Sequence, residues 1–223
     1  MGNAAPRVIV KICGLSTAPT LEAAIGAGAD MAGFVFHEKS PRHIDLGTAR
    51  SLGALAAGRI KKVALTVDAD DDALSAVVEA LSPDYLQLHG SESPARVEAV
   101  KARFGLPAIK AIGVATENDV RKAKDFTSAD IVLFDAKPAP GAELPGGAGV
   151  VFDWLLLRDI SAKNWMLSGG LSPENLAQAL KATGAPGVDV SSGVESARGI
   201  KDISRINAFV GAARALSSPA AKV

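Results

Sequence analysis

The chain has 223 residues, of which 48% are hydrophobic and 22% charged, an ordinary globular mix with enough apolar material for one large domain or two small ones. Lys plus Arg number 24 and Asp plus Glu number 24, so the formal net charge is zero, whereas a nucleic-acid binder carries a basic excess. The single Cys excludes an internal disulfide and a Cys-rich zinc site, and the chain reads as a reduced, cytoplasmic protein.

Met1 to Pro6 lacks the basic-then-apolar pattern of a secretion signal, and Pro6 stands where a myristoylation motif needs Ser or Thr. No apolar run approaches the roughly 18 residues of a membrane span. Short apolar runs then alternate with helical patterns. Val8 to Ile12 reads as a strand, Thr17 to Ala27 as a helix closed by Gly28, and Met31 to Phe36 as the next strand. A helix over Leu46 to Ala57 is stopped by Gly58. Lys62 to Val67 is strand three, and Asp71 to Leu81 is a helix whose acidic first turn suits the positive end of its dipole. Asp84 to Leu88 is strand four, followed by a helix from Glu92 or Ser93 to about Phe104. Ala108 to Gly113 is strand five, Glu117 to Lys124 a helix, and Ile131 to Phe134 strand six.

Ala136 to Val151 breaks the rhythm with three Pro and four Gly, a loop long enough to serve as a lid or to be a tolerated insertion. Trp165 to Leu167 is strand seven. Ser172-Pro173-Glu174 begins a helix with a cap and a Pro at its first position. Val188 to Val190 is strand eight. A last helix over Ile200 to Leu216 carries Ile203, Ile206, Phe209, Val210 and Ala213 as an apolar stripe. Ser217 to Val223 reads as a frayed tail.

Strands alternating with helices argue for a parallel sheet, and eight units in this length argue for an α/β single-domain (β/α)8 TIM barrel spanning 1–223. The rival is a doubly wound open sheet. It would carry a Gly-rich dinucleotide turn after strand one, where this chain has Lys11-Ile12-Cys13-Gly14-Leu15. No linker marks two small domains.

Catalytic groups of such barrels stand at the C-terminal ends of the strands. That rule selects Cys13, Arg42, His89, Asp135, Ser168 to Gly170, and Ser191 to Gly193. Cys13 is either a small buried hydrophobe or a reactive thiol. Lys11, two residues earlier, faces the same way in a strand, and an ammonium there lowers a thiol pKa so that the thiolate takes a proton. Asp135 is either a loop carboxylate or, across the mouth from Cys13, its partner acid, which needs a raised pKa to donate near neutrality. Ser168-Gly169-Gly170 and Ser191-Ser192-Gly193 sit where barrels build phosphate sites from backbone amides, or are simple turns. Arg42 is a surface charge or a bidentate partner for a substrate carboxylate. His89 is structural or catalytic. The three His show no i,i+4 pair, so a metal site has little support. Lys11 and Asp189, on strands one and eight, are expected to form a buried ion pair at the closing seam that holds Lys11 and tunes Cys13.

The combination of Val10-Lys11-Ile12-Cys13-Gly14-Leu15, Gly33-Phe34-Val35-Phe36 with Ser40-Pro41-Arg42, Gln87-Leu88-His89-Gly90, Phe134-Asp135, Gly146-Gly147-Ala148-Gly149 with Phe152-Asp153-Trp154, Ser168-Gly169-Gly170-Leu171 and Val188-Asp189-Val190-Ser191-Ser192-Gly193-Val194-Glu195 resembles the phosphoribosylanthranilate isomerases of tryptophan biosynthesis over nearly the whole chain. The resemblance implies a cofactor-free, metal-free (β/α)8 enzyme. Its reaction is the Amadori rearrangement of a phosphorylated aminoaldose bearing an anthranilate group. It makes Cys13 the general base, Asp135 the general acid and Arg42 the holder of the anthranilate carboxylate. Phosphate contacts fall to the loops holding Gly147, Gly149, Ser168, Gly169, Gly170, Ser191, Ser192 and Gly193, with His89 and Asp189 also at the substrate. The expected partner is a small molecule, with no nucleic acid or membrane, in a monomer or weak homo-oligomer. Three rivals remain. They are an aldolase using Lys11, Lys110 or Lys137 as a Schiff base, another sugar-phosphate barrel such as an epimerase, and a non-catalytic phosphate-binding barrel.

Overall fold

The computed structural model describes residues 7–137, 151–160 and 164–217. Gly147, Gly149 and most of the Pro/Gly segment lie outside the described residues, as does the expected tail beyond Ser217.

Eight strands close into a barrel in chain order: β1 (Ile9–Cys13), β2 (Met31–Phe36), β3 (Lys61–Thr66), β4 (Tyr85–Leu88), β5 (Ala108–Val114), β6 (Ile131–Ala136), β7 (Trp165–Leu167) and β8 (Gly187–Val190). Every neighbouring pair is parallel, and the seam sets β1 against β8 with Lys11 in register with Asp189. Around the barrel run α1 (Ala18–Ala27), α2 (Leu46–Ala56), α3 (Asp71–Leu81), α4 (Pro94–Phe104), α5 (Glu117–Arg121), α6 (Leu176–Thr183) and α7 (Ile203–Ser217). Their starts follow from local chemistry. Asp45, Asp70, Ser93 and Thr116 each accept a backbone N–H of the first turn, a contact that typically stabilises by about 1 kcal/mol. Gly28, Gly105 and Gly184 end α1, α4 and α6 in the left-handed region.

Strand alternation splits the core in two. Val10, Ile12, Leu86, Phe134, Trp165, Leu167 and Val188 join the helices in one large apolar layer, where the Phe134 and Trp165 rings meet edge to face at 5.7 Å. The opposite parity points along the barrel axis. There Met31, Val63, Ile109, Ile131, Leu133 and Met166 form one cluster, and Cys13, Val35 and Leu65 another. The same parity carries three fully buried polar residues, Lys11, Gln87 and Asp189. Burying such groups costs several kcal/mol each unless they meet partners; Lys11 and Asp189 meet each other, and Gln87 meets His89 through its side-chain nitrogen.

The eightfold alternation expected from sequence is present, with local differences. β6 runs on through Ala136, so Asp135 lies inside the strand rather than after it. α5 ends at Arg121 and continues only as a 3-10 turn over Lys122–Asp125. Ser172 does not cap a helix; its N–H donates to Asn175 Oδ1, the Asn175 amide donates to Gly170 O, and α6 starts only at Leu176. This Asn-closed turn satisfies the backbone polar groups that an earlier helical start would have taken. Ile200 and Lys201, expected to open the last helix, are not part of α7, and residues 195–201 fold separately. They form an antiparallel hairpin of β9 (Glu195–Ala197) and β10 (Ile200–Lys201) around Gly199, whose φ is 84°. Of the expected α7 stripe, Ile206, Phe209, Val210 and Ala213 are buried, whereas Ile203 at the helix start is exposed.

Candidate active site at the C-terminal mouth of the barrel

Cys13 is the last residue of β1 and faces Gly33 of β2 in register. A Cβ at Gly33 would lie 3.0 Å from Cys13 Sγ and 3.0 Å from Lys11 Nζ; the bare glycine lets the thiol and the ammonium share one space. Burial pushes the Cys13 thiol up, while Lys11 and Lys201 push it back down and Asp189 adds to the rise; the net direction is up. For Lys11, burial lowers the ammonium, but Asp189 and Cys13 outweigh it and hold the group above its ordinary value.

The expected seam pair exists. Lys11 Nζ donates to Asp189 Oδ1 at 2.8 Å, and Ser168 Oγ donates to Asp189 Oδ2 at 3.4 Å. Ser191 Oγ donates to the Cys13 carbonyl at 3.1 Å. Strands β1, β7 and β8 are thus joined through polar side chains directly beneath the thiol.

Asp135 faces the axis from β6. Its Oδ1 accepts the Ala136 N–H at 2.8 Å, and its Oδ2 lies 3.4 Å from His89 Nε2. His89 Nδ1 in turn lies 3.0 Å from the Gln87 side-chain nitrogen. The turn after β7 passes close by: Gly169 has φ 87°, and a Cβ there would stand 2.6 Å from the Ala136 nitrogen and 3.1 Å from Asp135 Oδ1. That approach and that backbone angle leave only glycine. A Cβ on Gly193 would fall onto the Leu171 carbonyl oxygen, so the turns after β7 and β8 pack backbone on backbone, bringing Ser168 to Gly170 and Ser191 to Gly193 to one side of the mouth.

Arg42 lies across the β1–α1 turn, where a Cβ at Gly14 would stand 2.6 Å from its Cδ. Its Nε and Nη2 donate to the two oxygens of Glu195 at 2.7 and 2.9 Å. The bidentate edge expected for a substrate carboxylate is therefore turned to a protein carboxylate. Lys201 completes the cluster. Its Nζ donates to Glu195 Oε1 at 2.7 Å, to Ser191 O at 2.9 Å and to Ser191 Oγ at 3.2 Å. Burial raises a carboxyl, but Arg42 and Lys201 prevail and hold Glu195 at about 2. Burial dominates at Lys201 and lowers the ammonium despite Glu195 and Cys13.

Of the residues singled out in the sequence, Cys13, Asp135, His89, Asp189, Ser168 and Ser191 thus converge on the barrel mouth. Glu195, Lys201, Gln87 and Gly33 join them without having been assigned a role. The Ala197-Arg198-Gly199 turn was the available signal for the hairpin that brings in Glu195 and Lys201. Lys110, one of the Schiff-base candidates, is bound to Glu92 Oε2 at 2.6 Å, Gly90 O at 2.7 Å and Leu88 O at 3.3 Å. Lys137 pairs with Asp119, so neither points to a nucleophile. Among the described residues no group of three or more His, Cys, Asp or Glu could hold a metal ion, and no helix is long and apolar enough to cross a membrane.

The family model described as N-(5'-phosphoribosyl)anthranilate (PRA) isomerase matches residues 10–212. The N-(5'-phosphoribosyl)anthranilate isomerase of Rhodopseudomonas palustris strain BisA53 is 58% identical over 208 residues, covering 92% of this chain and 95% of the relative. That of Nitrobacter hamburgensis is 55% identical over 93% of both chains. Among solved structures, the phosphoribosyl anthranilate isomerase of Thermotoga maritima superposes with a TM-score of 0.84 at 32% identity, over 93% of this chain and 99% of that one. A phosphoribosyl anthranilate isomerase in complex with reduced 1-(o-carboxyphenylamino)-1-deoxyribulose 5-phosphate gives 0.81 at 32% identity over the same shares. Matched along nearly its whole length in sequence and in fold, the chain belongs to the N-(5'-phosphoribosyl)anthranilate isomerase family.

Proposed function

We propose that the barrel mouth performs the aldose–ketose isomerisation for which its family is named, by general acid–base catalysis, with Cys13 as base and Asp135 as acid. The observation that carries this reading is the pairing of each group with its own proton-controlling neighbour. Cys13 shares the Gly33 space with the Lys11 ammonium, and Asp135 meets the His89 imidazole. The substrate is an aminoaldose phosphate in ring form. Asp135 gives its proton to the ring oxygen, the C1–O bond breaks, and the nitrogen lone pair forms an iminium. The iminium acidifies the C2 proton, which the Cys13 thiolate removes. The resulting enolamine tautomerises to the ketose. One acid, one base and positioning suffice for this sequence.

The turns holding Ser168 to Gly170 and Ser191 to Gly193 take the phosphate through backbone N–H groups in this reading, joined by Gly147 and Gly149 from the segment outside the described residues. In this reading Arg42 meets the anthranilate carboxylate, with its guanidinium held in place by Glu195 through Nε and Nη2. Asp189 acts on Lys11, and His89 acts on Asp135. The remaining rivals are weaker: Lys11, the third Schiff-base candidate, is salt-bridged to Asp189 and fully buried, whereas an imine-forming amine is neutral.

The test is turnover of freshly prepared phosphoribosylanthranilate, followed by loss of its fluorescence. Cys13→Ser and Asp135→Asn each lose about 10²–10⁴-fold in kcat, the range of a single proton-transfer group. Near-parental turnover in Cys13→Ser removes the base, and in Asp135→Asn the acid.

A further inference from the structure

The acid is only half of a pair, and the residue beneath that pair is unsettled in a telling way. Gln87 is fully buried in the barrel axis. Its Nε2 lies 3.0 Å from His89 Nδ1, and its Oε1 is buried with no hydrogen-bond partner among the described residues. Nothing there pins the amide in one of its two settings, which differ by a half-turn about the last side-chain bond.

Each setting fixes the ring. With Gln87 Nε2–H donating, His89 Nδ1 is an acceptor. The neutral ring then carries its proton on Nε2 and points it at the Asp135 carboxylate, 3.4 Å away. Asp135 in this state has no proton to give. With Oε1 facing the ring, Nδ1 must carry the hydrogen. His89 Nε2 then either accepts from a protonated Asp135 or, in the imidazolium, donates to the carboxylate. In both forms the pair holds one proton more. Either way one end of the amide is paired and the other is not, so the amide follows the ring at little cost.

We propose that Gln87 and His89 are positioning residues for the general acid, and that the half-turn of the Gln87 amide converts the His89–Asp135 pair between an empty and a proton-loaded state. The inference rests on the reading of Asp135 as the acid. In the loaded state the Asp135 O–H bond breaks, its electron pair stays on the carboxylate, and the proton forms the new O–H bond on the sugar ring oxygen. That leaves a bare His89 Nε2 facing a carboxylate, which favours recovery of a proton. The isomerisation is proton-neutral overall, so the proton that Cys13 removes balances the one that Asp135 loses. The site resets when the thiol releases a proton and the pair regains one.

Other charges at this end of the barrel are committed elsewhere. Lys11 is held by Asp189, Glu92 by Lys110, and Glu195 by Arg42 and Lys201. Asp68 accepts the Ser91 N–H. Among the described residues, neither His89 nor Asp135 meets another charged side chain.

The experiment is nitrogen NMR of the three imidazoles in the ligand-free enzyme across its active pH range, with His89 assigned by its loss in His89→Asn. The expected result is a hydrogen on His89 Nδ1 where the enzyme is active. Gln87→Leu shifts the ring towards the Nε2–H form, lowers kcat about tenfold, less than the ~10²–10⁴-fold worth of the acid itself, and moves the alkaline limb of the kcat profile to lower pH with KM unchanged. Gln87→Glu, whose carboxylate accepts from Nδ1–H, restores both the ring signal and kcat. An Nε2–H ring throughout the active range overturns the proposal, as does an unchanged ring signal and pH profile in a folded Gln87→Leu. Failure of the acid reading is separate: it shows as an active Asp135→Asn, whatever the His89 signal.

Discussion

Lys11→Met is the most direct probe of how the base is made. Lys11 Nζ and Cys13 Sγ each lie 3.0 Å from one point, the Cβ position that Gly33 leaves unfilled, so their separation is at most about 6 Å. Two unit charges at that distance interact by about 3 kcal/mol at an effective dielectric constant of ~20, roughly a 100-fold effect on the balance between thiol and thiolate. Burial already raises the thiol. Removing the ammonium raises it further, and kcat/KM at a fixed pH below the thiol pKa falls about 100-fold. The sign is testable because the loss reverses with alkali: the rising limb of the pH profile moves to higher pH. Asp189 is left buried without its main cation, which costs roughly 3–5 kcal/mol of stability, so folding of the variant is checked by circular dichroism. Lys11→Met with Asp189→Leu removes the opposing charge as well, recovers stability and brings the thiol part of the way back. The protein contains one Cys, so ultraviolet absorbance of the thiolate, read against Cys13→Ala, titrates this group alone. A midpoint in folded Lys11→Met within half a unit of the parent refutes the account of Lys11 as the cation that makes the base.

Three further outcomes follow from the cluster at the mouth. Glu195 is held at about 2 against an ordinary 4.5, so its stabilisation of the fold, roughly 3 kcal/mol, is complete at neutral pH and lost as pH falls from about 4.5 towards 2. Chemical denaturation should find Glu195→Gln less stable at pH 7, with the gap closing by more than half by pH 3. Gly193→Ala drives a methyl onto the Leu171 carbonyl oxygen, between two backbones with no side chain to yield; denaturant midpoints should drop by the equivalent of ~1–3 kcal/mol, and KM should rise as the two turns part. Arg42→Ala should raise KM with a smaller effect on kcat, the mark of lost ground-state binding, in the fluorescence assay.

The barrel was legible because its signals repeat. Eight apolar runs, each closed by Gly, Pro or a capping residue, fix the strand count. Parity then puts Lys11 and Cys13 on one side of β1 and Asp189 on the same side of β8, which is how the seam pair was foreseen. Parity fails where a strand is buried on both faces. β4 reads Tyr85-Leu86-Gln87-Leu88, and the axis residue Gln87 differs from its neighbours only in being polar. The start of the last helix differs from the expected Ile200 for another reason. The two strands of segment 195–201 have three and two residues, too short for a period of two to show, and the apolar Ile200 and Ile203 extend the helical stripe of α7 backwards in sequence though not in space. With the hairpin hidden, nothing in the sequence singles out Lys201, and Glu195 reads only as the end of a motif.

That misreading bears on the balanced charge of the chain. A formal net charge of zero is compatible with charges spread over the surface, but here several sit in the interior as matched sets: Lys11 with Asp189, Lys110 with Glu92, and Glu195 between Arg42 and Lys201. Lys11 and Asp189 lie 178 residues apart and Arg42 and Glu195 153 apart, so neither pair shows as a local pattern. Each set is costly until the barrel closes, because an unpaired member would sit buried and uncompensated. Closure is therefore what creates the site's electrostatics. Lys11 stays charged beside Cys13 because β8 brings Asp189 to it, and Arg42 is fixed at the mouth because β10 brings Lys201 to Glu195. A substitution at the seam acts on the thiol through this route without touching substrate, and it should show first in the pH profile and only later in KM.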